Sequence, residues 1–300
     1  MSGWRIGVLG GSGLDELDAL EEAQWIAIDT PWGPPSDELL FGKVAGVDFV
    51  FLPRHGRGHR IPPGDVDARA NIDALKRARC TDILAVSSVG TLREELAPGD
   101  FVIVDQFIDR TRGRPRSFFG PGLVAHVSLA DPVCDRLSRL AADAAAAAGA
   151  KVHRGGTYLA MEGPQFSTRA EAALHRQWSC EVIGMTAMPE ACLAREAELP
   201  YALIGMVTDY DCWREGEKVE VAQVIAQLRA NAGTARRTIA EFARLLPPER
   251  PPSPIDNALD GAIVTAPQAR DQALVARLDT VAGRVLDTLR DPAGQSRERS

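Results

Sequence analysis

The chain has 300 residues, 45% of them hydrophobic and 25% charged, with 34 Lys plus Arg against 41 Asp plus Glu and a net charge of −7. A chain this long buries roughly three quarters of its unfolded surface, so it needs neither disulfides nor a structural metal to fold. The acidic balance excludes a polyelectrolyte as the default partner, and no nucleic-acid role is expected.

The first apolar run, 5–9, predicts a strand that stops at Gly10, Gly11, Ser12 and Gly13. Runs at 39–44 and 47–52 flank Ala45 and Gly46 and predict a hairpin. Further strands are expected at 82–87, 101–104, 157–161, 182–185 and 201–207. Helical spacing predicts helices over 68–78, 132–148, 168–178, 189–198 and 219–246. Thr168 and Glu171 have the spacing of a capping box, and Pro189 suits a first helical turn. This alternation argues for an α/β fold, a single domain with a mixed central β-sheet flanked by helices. Function in such folds gathers at the carboxyl ends of the strands.

Residues 1–246 form the expected domain. A Pro-rich stretch at 247–266 reads as an extended linker, 267–290 as a C-terminal helix and 291–300 as a disordered tail. The five cysteines, at 80, 134, 180, 192 and 212, are never closer than twelve positions and form no Cys-x-x-Cys pair. They fit reduced thiols in a cytoplasmic protein. No stretch approaches the roughly 20 apolar residues of a membrane span, and no membrane partner is expected.

Chemistry concentrates at the strand ends. Gly10, Gly11, Ser12 and Gly13 make either a tight turn or an anion loop; the spacing fits neither a dinucleotide fingerprint nor a P-loop. Arg54, His55, Arg57, His59 and Arg60 place five cationic or titratable groups in seven positions, which suits a small oxyanion. Zinc is disfavoured there, because Gly56 and Gly58 break the helix that would bring both histidines to one face. Ser87 and Ser88 end another strand and add hydroxyls, or serve only as turn formers. Phe166, near a helix N-terminus, either stacks on a flat heterocycle or belongs to the core. The run 201–207 leads straight into Thr208, Asp209, Tyr210 and Asp211. If the strand continues, the two carboxylates point to one side, and proximity with desolvation raises the proton affinity of such a pair. The alternative is a loop with two solvated acids.

These residues resemble the purine nucleoside phosphorylase superfamily, specifically its 5′-methylthioadenosine phosphorylase branch. The resemblance runs through IGVLGGSGL at 6–14, RHGR at 54–57, GTLREE at 90–95, PGD at 98–100 and DQFIDRT at 105–111. It continues through EGPQFS at 162–167, GMT at 184–186 and TDYDCW at 208–213, covering roughly residues 4–246. It implies phosphorolysis of methylthioadenosine to adenine and 5-methylthioribose 1-phosphate, with inorganic phosphate as co-substrate and no metal or redox cofactor.

Carried over by position, the resemblance gives phosphate to Ser12, Arg54, His55, Ser87, Ser88 and Thr186. Met185 would pack under the ribose, and Phe166, Ser167, Thr208, Asp209 and Asp211 would line the purine site. Asp209 and Asp211 would be the catalytic pair, with Asp209 acting on N7. The family is usually trimeric, so a homotrimer or a dimer of trimers is implied, with His126 lent by a neighbouring subunit. Val221, Val224 and Ile225 would meet the methylthio group, although their spacing is equally that of a helix facing a core. Gly184 departs from the Asn of some relatives, and Ser87, Ser88 and Val89 vary a Thr/Ala/Cys-type pattern. Paired carboxylates favour a 6-aminopurine; a phosphorylase preferring 6-oxopurines and a non-catalytic nucleoside-binding regulator are the alternatives.

Overall fold

The computed structural model describes residues 3–11, 13–14, 18–214 and 220–288. Eleven strands form one mixed sheet: β1 (Arg5–Gly10), β2 (Glu21–Ile26), β3 (Leu39–Val44), β4 (Val47–Pro53), β5 (Asp82–Thr91), β6 (Phe101–Val104), β7 (Gln106–Asp109), β8 (Val152–Arg154), β9 (Thr157–Ala160), β10 (Val182–Gly184) and β11 (Tyr201–Asp209). Around it lie α1 (Ala68–Arg77), α2 (Asp135–Ala147), α3 (Arg169–Gln177), α4 (Ala187–Glu196), α5 (Val221–Leu245), α6 (Gln272–Arg277) and α7 (Gly283–Thr288).

Apolar side chains on opposite faces of the strands fill two large clusters. One joins Leu9, Leu52, Ile83 and Leu203 to α4, and the other joins Ile6, Phe49, Ile204 and Phe242 to α2 and α5. The β3–β4 hairpin turns at Ala45 and Gly46, both with positive φ (49° and 79°), the twist a two-residue hairpin turn requires. The capping box at Thr168 and Glu171 forms in both directions. Met188, before Pro189, is extended (φ −118°, ψ 136°), so the regular part of α4 starts at the proline.

Strand β5 organises the molecule. Its first half pairs in parallel with β1, ending at Leu9 opposite Ala85, while its last residues, Gly90 and Thr91, pair antiparallel with β10. Between those two ladders, residues 86–89 have no strand neighbour on that side. On its other side β5 runs with β11 along almost its full length. The gap falls at Ser87 and Ser88. The strand passes through these serines to Thr91 instead of stopping at residue 87, because β11 supports it from the other side.

Three strands lack a sequence signal: β2 is an exposed edge, β7 is polar, and β8 has three residues. Residues 247–266 differ from the expected extended linker. Ser253 and Asp256 cap a 3₁₀ turn (Pro254–Asn257), Ile255 and Leu259 are buried, and Arg250 joins Asp82 to Asp256 at 2.6 Å each. The expected single helix over 267–290 is broken: α6 ends at Arg277 and α7 starts at Gly283, with Leu278, Val281 and Ala282 buried between them. The tail at 291–300 lies outside the described residues. Among the described residues, no helix is long and apolar enough to cross a membrane.

Candidate active site

The β4 strand delivers Arg54 into the gap beside β5. Its guanidinium is buried (2% exposed) and spans three segments. Nε donates to Glu190 Oε2 at 2.7 Å, Nη2 to Glu190 Oε1 at 3.2 Å and to the Leu9 carbonyl at 3.1 Å, and Nη1 to the Val86 carbonyl at 3.2 Å. Leu9 directly precedes the Gly-rich turn and Val86 directly precedes Ser87, so one side chain ties that turn and the middle of β5 to α4. Burial works against the Arg54 charge, and the Glu190 carboxylate more than offsets it, holding the guanidinium protonated.

Ser87 and Thr186 meet in the same gap, hydroxyl to hydroxyl at 3.0 Å. The Thr186 amide donates to the Tyr158 hydroxyl at 3.2 Å. Tyr158 also accounts for the glycine at 184: a side chain at that position would overlap the Tyr158 hydroxyl.

His55 is buried and its Nδ1 lies 2.9 Å from the Ile61 carbonyl, which fixes the proton on Nδ1 and leaves Nε2 a lone pair. Burial, and then the Arg54 charge, push it down to about 4, so the ring is neutral near pH 7. The other three groups of this loop are engaged within the protein. Arg57 pairs with Asp37 and Glu38, Arg60 donates to the Ser36 carbonyl, and His59 stacks on His55 at 4.3 Å. The expected five-group oxyanion loop thus reduces to Arg54 and His55. Charge density in sequence did not reveal that Asp37 and Glu38 fold back on Arg57.

The two carboxylates do not alternate along an extended strand. The β5–β11 register slips between Val207 and Asp209, making Thr208 the extra residue of a bulge, and Asp211 has φ +52°. The Asp211 amide then donates to Asp209 Oδ1 at 2.9 Å, and the Thr208 hydroxyl lies 2.7 Å from Asp209 Oδ2. Thr208 is itself buried, its hydroxyl turned to Asp209 and the Val89 carbonyl. Asp209 sits opposite Gly90, where a Cβ would come within 2.9 Å of Asp209 Oδ1. Asp211 is 4% exposed, and its Oδ2 has no partner among the described residues. Burial pushes its carboxyl up to about 6; the Ser167 hydroxyl opposes that rise and the charge of Asp209 adds to it.

The loop before α3 closes this end. Phe166 is exposed (41%), which sets aside a core role, and the Ser167 carbonyl accepts from the Cys212 thiol at 3.2 Å. Met185 lies against Gly163, and Arg114 donates to the Met185 carbonyl at 2.7 Å and to the Glu162 carbonyl at 2.7 Å. A groove of about 430 Å³, lined by Arg169, Arg176, Cys212 and Trp213 among others, opens beside the turn that carries Asp211.

Ser12 falls outside the described residues. Val221 (59%) and Ile225 (44%) are exposed and Val224 is half-buried, so they do not form the core face of α5, which is Asn231, Ala235, Thr238, Ile239 and Phe242. His126 is exposed on a loop whose backbone bonds to Ala262, and it makes no hydrogen bond to the cluster among the described residues. Sequence reasoning missed Glu190, Tyr158 and Arg114. A carboxylate in the first turn of α4, followed by the apolar run 191–194, was the available sign for Glu190.

The chain matches the phosphorylase superfamily over residues 5–244. It is 60% identical over 285 residues to an S-methyl-5'-thioadenosine phosphorylase of Cereibacter sphaeroides, covering 94% of this chain and 98% of that one. A crystal structure of a methylthioadenosine phosphorylase from an antarctic soil metagenomic library superposes with a TM-score of 0.89 at 44% identity, covering 94% and 99% of the two chains. The Schistosoma mansoni methylthioadenosine phosphorylase in complex with adenine gives 0.78 at 36% identity, covering 93% and 98%. With a match across most of its length and relatives this similar, the chain belongs to the phosphorylase superfamily and, within it, to the S-methyl-5'-thioadenosine phosphorylases.

Proposed function

We propose that the chain splits S-methyl-5'-thioadenosine with inorganic phosphate, giving adenine and 5-methylthioribose 1-phosphate. The observation that carries this reading is the placement of two unlike sites along β5. Arg54, Ser87 and Thr186 gather at Ser87, and the carboxylate pair sits against Gly90. Three residues of strand span about 10 Å, room for one ribosyl unit between an anion and a purine.

In this reading His55, Ser88 and Ser12 complete the phosphate site, and Met185 packs under the ribose. Phe166 stacks on the purine, with Ser167 beside it. As the C–N bond lengthens, positive charge grows on the ribose and negative charge on the purine. The bound phosphate stabilises the first and then attacks the anomeric carbon, while Asp209 protonates or hydrogen-bonds N7 to relieve the second. Asp211 accepts from the 6-amino group. Inorganic phosphate is the co-substrate, and no step is assigned to a metal or a redox cofactor.

The same reading makes the enzyme a cytoplasmic homotrimer, or a dimer of trimers, in which His126 reaches the 5′ end of a neighbouring site. Exposed apolar residues near His126 (Val124, Leu129 and Val264) and at a second place (Leu174 and Trp178) support association through two different surfaces, as a closed ring requires. Val221, Val224 and Ile225 supply the apolar side of the methylthio pocket.

The test is phosphate-dependent release of adenine from methylthioadenosine, run beside methylthioinosine and inosine, with the mass in solution measured on the same sample. Phosphate-dependent adenine release is expected. Faster turnover of inosine would overturn the base assignment, and binding without turnover would favour a nucleoside-binding regulator.

A further inference from the structure

We propose that Glu190 is a positioning residue for phosphate capture, acting through Arg54, with the Tyr201 hydroxyl holding Glu190 in turn. The inference rests on the reading that Arg54 faces phosphate.

A guanidinium has five N–H donors. Four of those on Arg54 are engaged by Glu190, Leu9 and Val86, which leaves one on Nη1 for an anion. The Glu190 carboxylate receives two of the four, and the Tyr201 hydroxyl donates to its Oε1 at 2.7 Å. Arg54 and Glu190 side chains are 2% and 3% exposed, and Tyr201 is 1% exposed, so water replaces none of these contacts. Glu190 thus does two things. It fixes the plane of the guanidinium, which sets where the remaining N–H lies relative to the Ser87 and Thr186 hydroxyls. It also neutralises most of the Arg54 charge, so the anion is gripped mainly by directed hydrogen bonds and not by a free buried cation.

The consequence is selective. Disturbing Glu190 should damage phosphate capture and leave nucleoside binding, three residues further along β5, nearly intact. In Glu190→Gln the amide presents a donor to a donor, and the phosphate KM should rise about tenfold or more. Glu190→Asp keeps the charge with a shorter reach and should fall between that variant and the wild type. Tyr201→Phe removes only the outer hydroxyl, so the phosphate KM should rise about two- to fivefold. Because a buried unpaired arginine threatens folding, Tyr201→Phe is the decisive arm wherever Glu190→Gln does not give folded protein by circular dichroism.

Steady-state kinetics with both substrates varied, on these variants, Arg54→Gln and Arg54→Gln/Glu190→Gln, test the idea. The expected result is a phosphate KM raised with the nucleoside KM within about twofold, and a double variant no worse than Arg54→Gln alone. Equal rises in both KM values, additive losses in the double variant, or an unchanged phosphate KM in folded Tyr201→Phe would each overturn the role of Glu190. An unchanged phosphate KM in Arg54→Gln would instead overturn the phosphate site itself.

Discussion

Asp209 and Asp211 are joined by a hydrogen bond of 2.9 Å from the Asp211 amide to Asp209 Oδ1, so the turn that positions one carboxylate also orients the other. With the Thr208 hydroxyl on Oδ2, both oxygens of Asp209 are directed by the protein. A residue oriented this closely suits transfer to one fixed atom of a substrate, which in the proposed reaction would be N7 of the purine. Asp209→Asn keeps the shape and leaves a side chain that cannot transfer a proton. Its kcat should fall about 10²- to 10⁴-fold with the phosphate KM nearly unchanged, and a wild-type kcat would remove Asp209 from the role.

Asp211 should make base choice depend on pH. Its carboxyl, pushed up to about 6 by burial first and by Asp209 in addition, is ionised at pH 7.5, the form that in the proposed reaction would accept from a 6-amino group. Below pH 6 it carries a proton, the form that would donate to a 6-oxo group instead. The preference for methylthioadenosine over methylthioinosine, as a ratio of kcat/KM, should narrow about tenfold between pH 7.5 and 5. In Asp211→Asn that ratio should stay flat. His55, held down to about 4, adds no titration of its own over most of this range.

The fold was readable because long apolar strands and capped helices speak for themselves: 5–9, 39–52 and 201–207 all appear, and the Thr168 cap forms both its bonds. What sequence could not reveal depends on long-range pairing. Ser87 and Ser88 remain in strand because β11 supports β5 beyond them, and Arg57 is neutralised by Asp37, 20 positions away. Arg54 and Glu190 are 136 positions apart, so their pairing leaves no local pattern. The carboxylate motif was visible, but its geometry came from a bulge at Thr208 that alternation does not encode.

Gly184 and Tyr158 form a matched pair whose separation should be costly. Tyr158 is fully buried, its hydroxyl occupies the space above Gly184, and it accepts from the Thr186 amide. Gly184→Ala should destabilise the protein by about 1–3 kcal/mol through overpacking, and displace Thr186 enough to raise the phosphate KM. Tyr158→Leu should be damaging alone, yet the double variant should be less impaired than the two losses added together. Urea denaturation of the three variants measures the coupling, and strict additivity would show that the two positions do not share the space.

The acidity of Asp211 also predicts where the enzyme gives up stability for function. Its carboxyl has an ordinary value of 3.8 and sits at about 6 in the folded chain, so the native state binds a proton more tightly than the unfolded state. Stability from this group is therefore complete below about pH 4 and is lost as pH rises through 6. Such a rise in proton affinity corresponds to about 3 kcal/mol, and at 4% exposure solvent does little to screen it. Asn cannot ionise and escapes the penalty. Asp211→Asn should then be more stable than the wild type at pH 8, by up to about 3 kcal/mol, with the gap closing as pH falls through 6 toward 4. Asp73 and Glu196, also raised by burial, to about 6 and about 7, tilt both proteins alike and cancel in the difference. Urea midpoints at pH 4.5, 6 and 8 measure it, and a gap that does not change with pH would mean that the Asp211 carboxyl is not the strained group.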